Sequence, residues 1–306
     1  MVAYILRRIA MLVPVLFGVS LVSFSLLHLV PGDPAEVLGG QEATKADVER
    51  IRAEFGLDRP LPVQYLHFIA NAARGDFGIS IQTRHNVREL LLYRLSFTLQ
   101  LSLVSVLVAS ALGLLAGIVS STRQYSAFDT TSMLAALFGI SMPIFWLGLL
   151  LILVFSVKLH WLPSGGTGGL RHLLLPAIAL GSASAAVIAR MTRASMLEVT
   201  RQDYVRTARA TGYSERTVIF RHALKNAMIP VLTVFGLEFG TMLGGAVLTE
   251  TVFSLPGIGR LLVEGIFARD YPVVQGAMML VATTFVLVNL LTDVAYAFVD
   301  PRIRYE

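Results

Sequence analysis

Six apolar runs, each long enough to cross a lipid bilayer, constrain this chain more than any other feature. A hydrocarbon layer about 30 Å thick takes roughly 20 helical residues. Such runs lie at Ile9–Val30, Leu95–Val119, Thr130–Val157, Leu173–Ala189, Ala227–Glu250 and Val273–Val299. Charged residues make up 15% of the chain, against about 25% in an ordinary soluble domain, and the mean hydropathy is +0.69. The pattern predicts an all-α membrane protein with six transmembrane helices. Pro143, Pro176, Pro230 and Gly244-Gly245 fall inside these runs, which membrane helices tolerate where neighbours satisfy the freed backbone groups. The first run follows Arg7-Arg8 but is longer than a signal-peptide core, and no small-x-small cleavage site follows it. It is expected to remain as an anchor.

The basic residues give the orientation. With the N-terminus inside, the cytoplasmic pieces hold 13 Lys and Arg. These are Arg7, Arg8, Arg123, the eight from Arg190 to Lys225, and Arg302 and Arg304. The short outer loops hold four: Lys158, Arg171, Arg260 and Arg269. The long segment 31–94 carries the other eight beside nine acids, and long loops cross largely regardless of charge. The expected topology is N-in, C-in. The expected pieces are 1–30, an extracytoplasmic helical domain 31–94, spans two to four over 95–189, a cytoplasmic loop 190–226, spans five and six over 227–299, and a tail 300–306.

Both larger extramembrane pieces read as helical. Thr44 can cap a helix Lys45–Phe55 that Gly56 stops, and Pro62 suits the first turn of a second helix ending at Arg74-Gly75. Val48, Ile51 and Phe55, with Tyr65, Phe68 and Ile69, sit at helical spacing and predict packing. In the loop 190–226, a helix is expected to run to Thr211. Gly212 can end it in the left-handed conformation, and Ser214 can cap another starting near Glu215. Two bilayer tethers argue against DNA binding by this helix–turn–helix. A basic face beside anionic lipid and a docking element for a cytoplasmic partner both fit it.

The chain lacks several kinds of chemistry. It has no cysteine, hence no disulfide or thiolate site. None of the three lysines, Lys45, Lys158 and Lys225, completes a phosphate-binding G-x-x-x-x-G-K-[ST] loop. His28, His67, His85, His160, His172 and His222 show no paired ligand spacing, so no metal is expected. Ionisable groups in lipid are expensive and functional by default. His28, Arg190 and Glu250 fall near span ends, where an interfacial role is expected. Glu238 and Asp293 lie deeper, with Asn289 one turn before Asp293, and both packing and solute contact are open to them. Gly236, Gly240, Gly244 and Gly245 form a small-residue face suited to close helix approach. A permease with separate ATPases and a self-sufficient secondary transporter, which would need inverted repeats and midplane charges, are the main alternatives. An intramembrane enzyme finds no nucleophile–base pair or metal motif here.

Finally, Asp203-Tyr204-Val205-Arg206-Thr207-Ala208-Arg209-Ala210-Thr211-Gly212 resembles the cytoplasmic coupling loop of binding-protein-dependent ABC importers. Arg206-Thr207-Ala208 stands where the family has Glu-Ala-Ala, and of its later Ile-x-Leu-Pro only Leu224 matches. The branch resembled is that of the dipeptide, oligopeptide, glutathione and nickel permeases. Pro31-Gly32-Asp33-Pro34, Gly75-Asp76-Phe77-Gly78, Ser141-Met142-Pro143, His160-Trp161-Leu162-Pro163, Phe253–Gly259, Arg269-Asp270-Tyr271-Pro272 and Asp300–Tyr305 are similar to the branch's segments, in order. The resemblance implies a type I importer fold and half of a translocation pathway for peptides or related solutes. It implies a second homologous permease, two cytoplasmic ATPases that bind ATP and Mg in place of this chain, and an extracytoplasmic solute-binding protein. Coupling would then involve Asp203, Arg206, Thr207, Ala208, Gly212, Ser214, Glu215 and Arg216. An outer gate over 253–272 would involve Pro256, Gly257, Ile258, Gly259, Leu262, Ile266, Asp270 and Tyr271. Its apolar residues Leu262, Ile266 and Phe267 predict a short helix there. Pro143, Glu238, Gly240, Gly244, Asn289 and Asp293 are candidates for the pore or a helix interface.

Overall fold

The computed structural model describes residues 2–29, 33–39, 43–54 and 56–299. Pro31, Gly32, Phe55 and the segment 300–306 lie outside the described residues, as do the side chains of Arg7, Arg8, His28 and Asp293. The helices are α1 (Val2–Leu29), α2 (Pro34–Gly39), α3 (Lys45–Glu54), α4 (Leu61–Ala73), α5 (Val87–Thr122), α6 (Ala127–Ser141) and α7 (Ile144–Leu151). They continue with α8 (Leu170–Thr200), α9 (Asp203–Ala210), α10 (Glu215–Thr217), α11 (Leu224–Val252), α12 (Ile258–Phe267) and α13 (Tyr271–Val299). Two π-helical stretches, Ile152–Lys158 and Val218–Ala223, continue α7 and lead into α11.

Four helical segments are long and apolar enough to cross a membrane: Val87–Thr122, Leu170–Thr200, Glu215–Val252 and Tyr271–Thr292. The apolar stretch Ala10–Ser25 of α1 is shorter. The third predicted run is not one straight helix, because α6 and the segment Ile144–Lys158 meet at 110°. The cause is local. Pro143 has no N–H to continue the ladder and pushes the preceding residue out of helical conformation, and Met142 is extended at φ −82°, ψ 127°.

The chain divides into two compact units. The first comprises 98–255 with 287–299. Its core gathers Leu101, Leu175, Leu180, Ile188, Val231, Met242 and Phe253. Small residues let backbones approach: a Cβ on Gly113 would lie 2.7 Å from the Ala185 carbonyl oxygen, and one on Gly117 2.7 Å from that of Ala189. This close approach of α5 and α8 was not suggested by the sequence. On α11, Gly236 and Gly240 are buried and a Cβ on Gly245 would meet Leu180 at 3.3 Å, but Gly244 is exposed and a Cβ there would meet nothing within 4 Å. At one end of this unit, Arg193 of α8 donates twice to the Asp129 carboxylate, both at 2.8 Å. Ser120 Oγ and the Tyr125 N–H also donate to it.

The second unit joins residues 2–97 to 256–286. Val87, Leu91, Ile258, Leu261, Val273 and Ala277 form its core. Thr44 and Asp47 cap α3 reciprocally through side chain and N–H, and the Thr44 hydroxyl holds the Asp47 carboxyl below the usual carboxylate range. Gly56 and Gly75 end α3 and α4 with φ of +64° and +72°, as their positions predict. The face of α4 meets α1: Tyr65 Oη lies 2.9 Å from Ser20 Oγ, and Phe24 packs against the rings of Tyr65 and Phe68.

Candidate functional site

The expected helix to Thr211 is interrupted. Residue Arg201 closes α8, Gln202 is extended, and α9 starts at Asp203. No glycine or proline marks this corner. Burial fixes it, because Val205 and Ala208 of α9 pack with Val218 and Val199 in a small apolar cluster. The structure therefore places Ala208 on the supporting face and leaves Asp203, Arg206 and Thr207 exposed on the other. The end of α9 follows the turn chemistry of the sequence. Gly212 has φ +87° with nothing within 4 Å of where a Cβ would stand, and Ser214 caps α10 by accepting from the Thr217 N–H.

Three contacts here were not legible as site features. Arg209 Nε donates to Glu215 at 2.8 Å and so clamps the turn at Gly212. Asn226 Nδ2 donates to Tyr204 Oη at 2.7 Å, tying α9 to the base of α11. The Tyr213 and His222 rings lie 5.3 Å apart. A basic residue six positions before an acid, across a glycine, was the one signal available for Arg209. Arg206 makes only a solvent-exposed pair with Asp203 at 3.6 Å, which is worth little energetically. Arg216 lies exposed just past the turn.

In the second unit, the expected short helix over 253–272 is α12, entered through the extended Gly257. Its apolar residues divide between a buried and an exposed side. Ile258, Gly259, Leu261 and Gly265 are buried, Leu262 is half-buried, and Ile266 and Phe267 stay 55% and 85% exposed. Asp270 is 2% exposed. Its carboxylate accepts from Ser80 Oγ and from the N–H groups of Gln82 and Val273, so it caps α13 and holds the loop before α5. Tyr271 is buried beside it and Pro256 half-buried. A cavity of about 470 Å³ in this unit is lined by Phe24, Arg59, His67, Asp76, Tyr271 and Gln275, among others.

The intramembrane candidates scatter. Glu238 is half-buried and accepts from Ser184 Oγ at 2.5 Å. Glu250, expected at an interface, is 1% exposed and accepts from Thr98 Oγ at 2.6 Å. Proximity to a span end in sequence does not reveal that the neighbouring helix covers it. Pro143 is exposed at the elbow, Arg190 is exposed, and Asn289 is half-buried. Among the described residues, no group of three His, Asp or Glu is placed to hold a metal.

Comparison with known proteins places these features in a family. Residues 109–305 match the binding-protein-dependent transport system inner membrane component, and residues 1–102 match the N-terminal part of such membrane components. The chain is 48% identical to the di/tripeptide transport system permease protein DppB of Pseudomonas aeruginosa (strain UCBPP-PA14). It is 47% identical to the glutathione transport system permease protein GsiC of Escherichia coli (strain K12). Both matches cover 100% of each chain. A solved structure of the MetNI methionine ABC transporter in inward-facing conformations matches with a TM-score of 0.59 at 20% identity, over 69% of this chain and 96% of that one. The fold is that of an ABC transporter's membrane subunit, and the chain belongs to the inner-membrane permease components of binding-protein-dependent transport systems.

Proposed function

We propose that this permease crosses the inner membrane six times, N-in and C-in, and forms half of the translocation pathway of an importer for di- or tripeptides or related small solutes. The related solutes include glutathione, itself a tripeptide, and nickel chelates. Its partners are a second homologous permease, two cytoplasmic ATPases holding ATP and Mg, and an extracytoplasmic solute-binding protein. The names of the full-length relatives support the solute class. The observation that carries the mechanism is α9, braced from below by Val205 and Ala208 and exposed above. Such an element can take a push from an ATPase and pass it through the Tyr204–Asn226 contact to α11. Residues 33–94 with α12 face outward in this reading, where α12 serves as the gate and the exposed Ile266 and Phe267 meet a partner.

Gly212→Val tests the coupling. A Cβ there finds open space, so the penalty is conformational alone, about 1–2 kcal/mol for a left-handed β-branched residue. The variant is expected to insert normally yet lose several-fold in ATPase co-purification, or hydrolyse ATP without uptake. Wild-type uptake and complex yield would remove the turn from the coupling site. Topology has its own test. A reporter active only in the periplasm should work when fused after Arg59 or Gly166 and stay silent after Gln124 or Gly212. Activity at Gly212 would invert the whole assignment.

A further inference from the structure

Arg216, Thr217, Phe220, Arg221 and Lys225 line one open cleft at the foot of α11. Three cations face it and no acid lines it. The nearest acid in sequence, Glu215, is engaged by Arg209. The π-helical stretch Val218–Ala223 makes this cleft. In a regular α-helix, Arg216 and Lys225 would point to opposite sides. Bonds that close on the fifth residue lengthen the repeat, which brings Thr217, Arg221 and Lys225 into one row beside Arg216 and Phe220.

The depth of this row decides what fills it. The apolar run begins at Ala227, so with about 1.5 Å rise per residue Lys225 stands roughly 3 Å and Arg221 roughly 9 Å outside the hydrocarbon. The headgroup layer is roughly 5–8 Å thick on each side, within reach of both side chains. Phe220, 54% exposed, lies one residue further out than Arg221 and forms the cytoplasmic wall of the cleft. The exposed face of α9 is separated from this row by the Gly212 turn.

We infer that the cleft binds the headgroup phosphate of an anionic phospholipid, with Arg221 and Lys225 as its main ligands. This site would hold the base of α11, the helix that receives the motion of α9, against the membrane surface.

Native mass spectrometry of the full-length chain, purified with its companion subunits and delipidated, tests this with phosphatidylglycerol against phosphatidylcholine of identical acyl chains. Wild type should prefer phosphatidylglycerol. Juxtamembrane cations contribute enough that each removed should weaken binding about 5-fold, and Arg221→Gln with Lys225→Gln about 30-fold. Arg221→Lys should retain most of the affinity, which separates charge from misfolding, and phosphatidylcholine binding should not change. Unchanged phosphatidylglycerol affinity in the double variant would overturn the site. So would equal weakening for both lipids. Release of the ATPase subunits with phosphatidylglycerol binding intact would also overturn it, giving the cleft to an acidic protein surface instead.

Discussion

Arg193→Ala is expected to cost about 3 kcal/mol, at the lower end of what stranding one member of a buried ion pair costs. The carboxylate left behind has a side chain only 6% exposed while the guanidinium is in place, so water reaches it only through the space the arginine vacates. Ser120 and Tyr125 still donate to it, which keeps the loss from being larger. Asp129→Ala should be milder, because the Arg193 side chain is 27% exposed and can turn its charge to solvent. Removing both members should recover more than half of the Arg193→Ala loss. Thermal unfolding in mild detergent gives the ranking. A double variant as unstable as the sum of the singles would show that the two residues act separately.

Gly117→Leu is the other change with a large expected effect. A Cβ at Gly117 would lie 2.5 Å from Thr192 Cβ and 2.7 Å from the Ala189 carbonyl oxygen, and a backbone carbonyl cannot rotate away. Helices α5 and α8 must then separate, at a cost of about 3 kcal/mol or more. The expected result is a several-fold fall in monodisperse yield with a lowered melting temperature. Gly244→Leu should leave both unchanged, since its Cβ position is empty. Equal behaviour of the two variants would show that the α5–α8 approach does not limit packing.

These two sites show where reading the sequence reached its limit. Local chemistry was legible. Thr44, Gly56, Gly75, Gly212 and Ser214 each act within a few residues of themselves, and each does what its type predicts. The elbow at Pro143 was visible as a proline, but whether a membrane helix kinks mildly or turns by 110° depends on what receives the two halves. Long-range pairing left no local trace. Asp129 and Arg193 stand 64 positions apart, and Ser80 and Asp270 stand 190 apart. The glycines on α11 recur at helical spacing just as Gly113 and Gly117 do on α5. Only the neighbouring backbone distinguishes a face that must be bare from one that happens to be. On α12 the apolar spacing named the helix, but which side is covered is set by Val273 and Ala277 of α13, which leave no trace in the local spacing.

The unit that joins residues 2–97 to 256–286 has a consequence for how the chain is made. Its two pieces leave the ribosome separated by roughly 160 residues, or about 8–30 s at ordinary rates of translation. Throughout that interval Ser80 lacks Asp270, and Val87 and Leu91 lack Ile258, Leu261 and Val273. The first piece must wait with an apolar face uncovered until the last sixth of the chain arrives. A ribosome stalled between Phe97 and Pro256 would therefore hold a substrate for chaperones and proteases, and slow codons in that stretch would lengthen its exposure.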